Sequence, residues 1–215
     1  NRQKERMLSL KEKAIKIEKT KKEIESFTSR FPFPLTGAQE RSIETALKDF
    51  KQGHPMSRLL EGDVGSGKTA VAATLSFAAV TTNPKGQDFG SLQVAYMAPT
   101  EILAEQHFES FIEYFSQHKI NIGLITGSGA KKFPSKLKSE NYTKISKPQL
   151  QKWVANGEIP VLIGTHALIQ KNVNFKNLSL IIIDEQHRFG VKQRKELRKK
   201  SDIAPHLLSM TATPI

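Results

Sequence analysis

Hydrophobic positions along this chain follow two alternating patterns. Short unbroken apolar runs suit strands buried on both faces. They predict strands near Ser57–Leu60, Leu92–Met97, Asn121–Thr126, Ile159–Ile163, Leu178–Ile183 and His206–Ser209. Between them, apolar residues recur at helical spacing and predict helices near Ala38–Lys51, Lys68–Thr82, Thr100–Ser116, Lys147–Ala155 and Val191–Lys200. Alternation of this kind predicts an α/β fold, a doubly wound and mostly parallel sheet with helices on both faces. Over residues 1–30 the pattern differs. Met7, Leu10, Ala14, Ile17 and Ile24 fall on one stripe, interrupted by Lys21, and predict an amphipathic helix. It would dock on the body or link to a domain further upstream. "RFPFPLTG" then breaks it with two prolines, and Thr36 is placed to cap the next helix. "TTNPKGQDFGS" and "GSGAKKFPSKLKSENYTKISK" read as loops, the second unusually long.

Composition narrows the class without identifying the chemistry. The 215 residues, 38% hydrophobic and 25% charged, suffice for one well-filled α/β domain with an appendage. There is no cysteine, which excludes disulfides and thiolate metal sites and is compatible with a reducing cytoplasm. No apolar run approaches a membrane span, and the N-terminus carries no signal-peptide pattern. Starting at Asn1 and stopping at "SMTATPI", the chain reads as a piece of a longer protein.

Charge is uneven. The net +12 resolves into +4 over residues 1–28, +5 over 129–147 and +6 over 188–200, leaving the rest at −3. A mildly acidic body with basic outer segments suggests a polyanion such as nucleic acid, although a single lysine-rich face is more often merely solvated. The stretch 129–147 reads first as a structureless lysine-rich insertion and second as an added contact to that polyanion.

Chemistry concentrates in two places. In "RLLEGDVGSGKTAVAATLSFAA", Gly62, Gly65, Gly67, Lys68 and Thr69 fit G-x-x-x-x-G-K-[ST], with Asp63, Val64 and Ser66 completing the loop. Such glycines let backbone N–H groups curl around a phosphate chain, and the helix that follows points its positive end at the anion. Lys68 would reach the β- and γ-phosphates of ATP, and the Thr69 hydroxyl would ligate Mg²⁺. The second place is "LIIIDEQHRFG". Taken alone, its carboxylates suit a solvated turn as well as a site. Beside a phosphate loop, Asp184 at a strand end becomes the second metal ligand, and Glu185 a proton acceptor for attacking water.

The order of "FPLTGAQ", "GDVGSGKT", "APTEILAEQH", "TGS", "IGTHALIQ", "DEQHRFGVKQR" and "MTATPI" resembles the first RecA-like half of a superfamily 2 helicase. More narrowly, it resembles the RecG family, bacterial translocases that remodel stalled forks and branched DNA. The resemblance implies a RecA-like helicase domain over 31–215, preceded by a linker helix over 1–30. It implies that Gln39, with Phe33 and Leu35 upstream, recognises adenine, and that Gln186 and His187 join Glu185 and Lys68 in the catalytic machinery. Thr211, Ala212 and Thr213 would couple hydrolysis to movement. Pro99, Thr100 and Glu101, then Thr126, Gly127 and Ser128, then Gly164, Thr165 and His166 would hold the DNA backbone. Each of these triplets, taken singly, could equally be a capping turn. The implied partners are branched DNA and a second RecA-like domain of the same protein, with no membrane. The implied location is the cytoplasm, at the bacterial nucleoid.

Three other classes compete. A transcription-repair coupling translocase shares the motif order, but Gln186 weighs against it. A small-molecule kinase would share the phosphate loop alone. A basic nucleic-acid-binding module could carry a non-catalytic nucleotide site. A GTPase would call for an N-K-x-D motif, which the chain lacks.

Overall fold

Strands that are buried from end to end set the architecture. In the computed structural model, residues 13–63, 65–135, 141–184, 196–201 and 203–212 are described; 1–12, 64, 136–140, 185–195, 202 and 213–215 lie outside the description. The described elements are α1 (Lys21–Thr28), α2 (Gly37–Phe50), β1 (Ser57–Glu61), α3 (Lys68–Val80), β2 (Gln93–Met97), α4 (Glu101–Phe115) and β3 (Ile122–Ile125). There follow β4 (Ala130–Phe133), β5 (Thr143–Ile145), α5 (Lys147–Ala155), β6 (Val161–Gly164), a 3₁₀ turn (His166–Ile169), β7 (Leu178–Ile183) and β8 (His206–Thr211). They form one eight-stranded sheet in the order β1-β8-β7-β2-β6-β3-β4-β5. From β1 to β3 every neighbouring pair is parallel, so the predicted doubly wound sheet is present.

Two cores lie on the two faces. One gathers α1 to α4, with Phe27, Phe50, Phe108, Phe111 and Phe115 all buried; the other gathers Leu150, Val154, Ile159, Leu168 and Val173. The central helix α3 is apolar all round, buried from Ala70 through Val80, and its small side chains let α1, α2 and α4 pack close around it.

Two expectations are corrected. The predicted N-terminal helix does not run through residues 13–20, which belong to no helix or strand. There the backbone bonds to the body instead: Ala14 N–H donates to the Gly53 carbonyl (2.9 Å) and Ile17 N–H to that of Phe50 (3.2 Å). The helix starts late because Thr20 and Glu23 form a reciprocal capping box, which halts it at Lys21. Two of the striped apolar residues, Ile17 and Ile24, are still buried, and Phe27 beyond them stacks on Phe77 at 4.2 Å. The second correction concerns the lysine-rich stretch. Its flanks are β4 and β5, which extend the sheet antiparallel from β3. Lys131 is held on this extension by Glu105 at 2.5 Å and lies 4.7 Å from the Tyr142 ring centroid, so neighbouring side chains fix it in place. Of the predicted helix over 191–200, residues 191–195 lie outside the description.

Candidate nucleotide site and nucleic-acid rim

Parallel strands bring their carboxyl ends to one rim, where open α/β sheets place their ligands. Strand order then sorts the candidate residues. β1, β8 and β7 deliver the phosphate loop, Thr211 and Asp184 to one half of the rim. β6 and β3 deliver Gly164–His166 and Thr126–Ser128 to the other half. β2 runs between them and leads into Pro99, Thr100 and Glu101.

The phosphate loop closes on itself. Lys68 Nζ donates to the carbonyls of Gly62 (2.6 Å) and Asp63 (2.8 Å), so these carbonyl oxygens take the place of an anion at the ammonium. Gly65 and Gly67 have φ of +81° and +75°, a conformation that side chains resist. A Cβ on Gly67 would lie 2.2 Å from Gln39 Nε2, because Gln39 braces the loop from the first turn of α2. Its amide donates to the Ser66 carbonyl (2.8 Å) and accepts from Thr36 N–H (2.8 Å). Phe33 is exposed, with its ring against Phe31. Thr211 pairs with Glu61, and its carbonyl accepts from Gly62 N–H at 3.3 Å, which joins β8 directly to the loop. Val64 lies outside the description.

Asp184 is buried at the end of β7, where its Oδ2 lies 2.7 Å from His107 Nε2. The His107 ring lies in turn against Tyr96, whose phenol oxygen is 3.3 Å from both ring nitrogens. Burial, then the Asp184 charge, push the Tyr96 phenol well above its ordinary pKa, while a hydrogen bond with the Thr69 hydroxyl works the other way. His107, backed by Tyr96, therefore holds Asp184, one of the two residues expected to face a metal.

On the other half, Thr100 caps α4 by accepting from Leu103 N–H (3.2 Å), and Thr126 Oγ1 lies 3.0 Å from Ser128 Oγ. The Glu101 carboxylate accepts from Ser128 N–H at 3.1 Å. The Ser128 hydroxyl chiefly holds its pKa below the ordinary value, helped by the backbone N–H groups of Ser128 and Gly127 and by the Lys147 charge. Thr165 is buried, and its N–H reaches the Ile125 carbonyl at 3.4 Å. The three triplets do come together, and part of their hydrogen bonding is internal.

Against known proteins, residues 36–215 match the family described as DEAD/DEAH box helicase. The chain belongs to that family. Among individual relatives, the domain is 47% identical over 206 residues to the ATP-dependent DNA helicase RecG of Aquifex aeolicus, covering 95% of this chain and 23% of that protein. It is 51% identical over 184 residues to the RecG of Streptococcus pneumoniae, covering 86% of this chain and 24% of that one. This helicase-family chain thus spans about a quarter of the length of those relatives. In three dimensions it is similar to a structure of RecG bound to a three-way DNA junction, with a TM-score of 0.74 and 38% identity over 99% of this chain and 26% of that one.

Of the site residues expected in this helicase domain, Glu185, Gln186, His187 and Thr213 lie outside the described residues. Tyr96 and His107 are what sequence reasoning missed. A signal existed for one of them. His107 sits on the apolar stripe of α4, among Ala104, Phe108, Phe111 and Phe115, where a polar residue needs a partner. Tyr96 offered none, since within "LQVAYM" it reads as one more buried strand residue. Among the described residues no helix is long and apolar enough to cross a membrane.

Proposed function

We propose that this chain is the ATP-binding half of an ATP-dependent translocase of the RecG type that remodels branched DNA. One observation carries the reading: a single rim sets the phosphate loop, the Asp184 carboxylate and three strand-end triplets side by side. Its donors suit the ligands. The start of α3 offers backbone N–H groups and a helix N-terminus to a phosphate chain. Thr69 and Asp184 offer a hydroxyl and a carboxylate, the hard oxygens magnesium prefers when phosphates and water complete its shell. Bound there, magnesium would neutralise charge on the phosphates.

In this reading Lys68 leaves the loop carbonyls for the β- and γ-phosphates, a stronger, charged partner. Gln39 and Phe33 face the adenine, and Glu185 takes the proton of the attacking water. Gln186 and His187 pass the nucleotide state on to DNA, with Thr211, Ala212 and Thr213 coupling it to movement. Pro99 to Glu101, Thr126 to Ser128 and Gly164 to His166 grip phosphates without reading sequence. A second RecA-like domain of the same protein completes the cleft with arginines. Within this chain, 31–215 is the motor domain, and 1–30 leads into it.

The test compares this chain with its Lys68→Ala variant by titrating a fluorescent ATP analogue with Mg²⁺, then competing a three-way junction against linear duplex for binding. Wild type is expected to bind the nucleotide and to prefer the junction or bind both. The variant should bind nucleotide about 10- to 100-fold more weakly, the worth of a charged hydrogen bond. Nucleotide binding untouched by loss of Lys68, or no DNA binding at any salt, would overturn the proposal.

A further inference from the structure

Behind the nucleotide half of the rim lies a buried polar chain that the phosphate loop itself does not require. Tyr96 on β2 is fully buried, and His107 on α4 is nearly so. Their rings lie 4.7 Å apart, tilted by 42°. A carboxylate can only accept, so the His107 nitrogen 2.7 Å from Asp184 Oδ2 must carry a proton and donate it. The Tyr96 phenol oxygen lies 3.3 Å from both ring nitrogens and so rests against the His107 ring. Contact runs from Tyr96 through His107 to Asp184.

We infer that His107, with Tyr96 packed against it, is a positioning residue that orients Asp184, fixing the metal-facing carboxylate of the nucleotide site. The inference rests on the nucleotide reading of that site. Its physical content is constraint. Asp184 at a strand end can turn about its side-chain bonds, and a hydrogen bond to one of its oxygens removes that freedom. A polar chain in an otherwise apolar layer also invites replacement, since phenylalanine at 96 or leucine at 107 would fill the same space without burying polar groups. A group that only holds a ligand in place acts on metal affinity, and losing such a partner elsewhere costs about 10- to 100-fold.

Five proteins separate the outcomes: wild type, Asp184→Asn, His107→Leu, Tyr96→Phe and, as the conservative rescue, His107→Gln. For each, the affinity for a fluorescent ATP analogue is measured with Mg²⁺ and again in EDTA, beside a thermal melt. The ratio of the two affinities is the magnesium increment. His107→Leu and Tyr96→Phe are expected to keep the EDTA affinity and lose about tenfold of the increment. His107→Gln, which keeps an N–H donor, should restore most of it. A folded His107→Leu and Tyr96→Phe with the full increment would overturn the inference while leaving the site reading intact, provided Asp184→Asn has lost it. A wild type with no increment would remove both. Equal losses with Mg²⁺ and in EDTA would assign the chain to structure alone, which also overturns it.

Discussion

Glu101 is a carboxylate seated where a phosphate is expected. It accepts from Ser128 N–H at 3.1 Å, and the same loop keeps it in its charged form at lower pH than usual. Those amides and that hydroxyl are the groups a DNA backbone would seek on this half of the rim. Removing the carboxylate should therefore free them, and Glu101→Ala is expected to bind duplex DNA several-fold more tightly at fixed salt, read by fluorescence anisotropy. Weaker binding by this variant would mean that Glu101 builds the loop and does not compete with the phosphate. At this scale the sequence was legible where chemistry is local. A phosphate loop is contiguous, so Gly62 to Thr69 could be read directly. The Tyr96–His107–Asp184 chain joins residues 11 and 77 positions apart, and no spacing rule reaches across that distance. Gln39 was legible as a candidate but not in its state, with both ends of its amide bonded within the chain.

Among the elements, α2 to β3, α5, β6, β7 and β8 were legible because each keeps a single period over its length. The two failures have distinct causes. Over residues 13–20 an apolar stripe suggested a helix, but a stripe records which side chains are buried, and bonds to the Gly53 and Phe50 carbonyls bury them without helical turns. Thr20 and Glu23 spelled the true start. In the lysine-rich stretch, charge masked β4 and β5, and the pairing of β4 to β3 and of β5 to β4 satisfies backbone groups whatever their side chains carry. The N-terminal segment also has a pH signature. His206 on β8 donates from Nε2 to the Ile15 carbonyl (2.9 Å) and accepts Met56 N–H at Nδ1 (3.0 Å), both ends engaged while neutral. Burial holds its pKa below 6.5, with the Ile15 carbonyl and Asp49 opposing. Below pH 6.5 the unfolded chain takes up the proton first, so stability should fall with pH and level off beneath the folded pKa. Burial lowers His118 too, with the same sign. A melting temperature that rises on acidification from pH 7 to 5.5 would contradict this, and His206→Leu should flatten the slope.

For the whole molecule, fold class and rim were legible, whereas strand order was not, because alternation of helix and strand is common to many parallel topologies. That order divides the rim into a half that carries the phosphate loop, Thr211 and Asp184 and a half that carries Thr126–Ser128 and Gly164–His166, with β2 between. It also has a consequence in time. β1 stands at the sheet's end with β8 as its neighbour, and Ser57 pairs with Leu207 across nearly the whole described chain. A ribosome delivers β1 early and its partner late, so the strand that launches the phosphate loop waits, unpaired, through most of synthesis. Chains released before His206 should consequently fail to bind nucleotide even though every residue of the loop is present. Nascent chains stalled before His206 and beyond Thr211, with a spacer long enough to clear the exit tunnel, would show it by retention on immobilised ATP. Retention of the shorter chain would mean that β1 and the loop form without β8. If the longer chain alone is retained, the nucleotide site is the last part of this domain to exist.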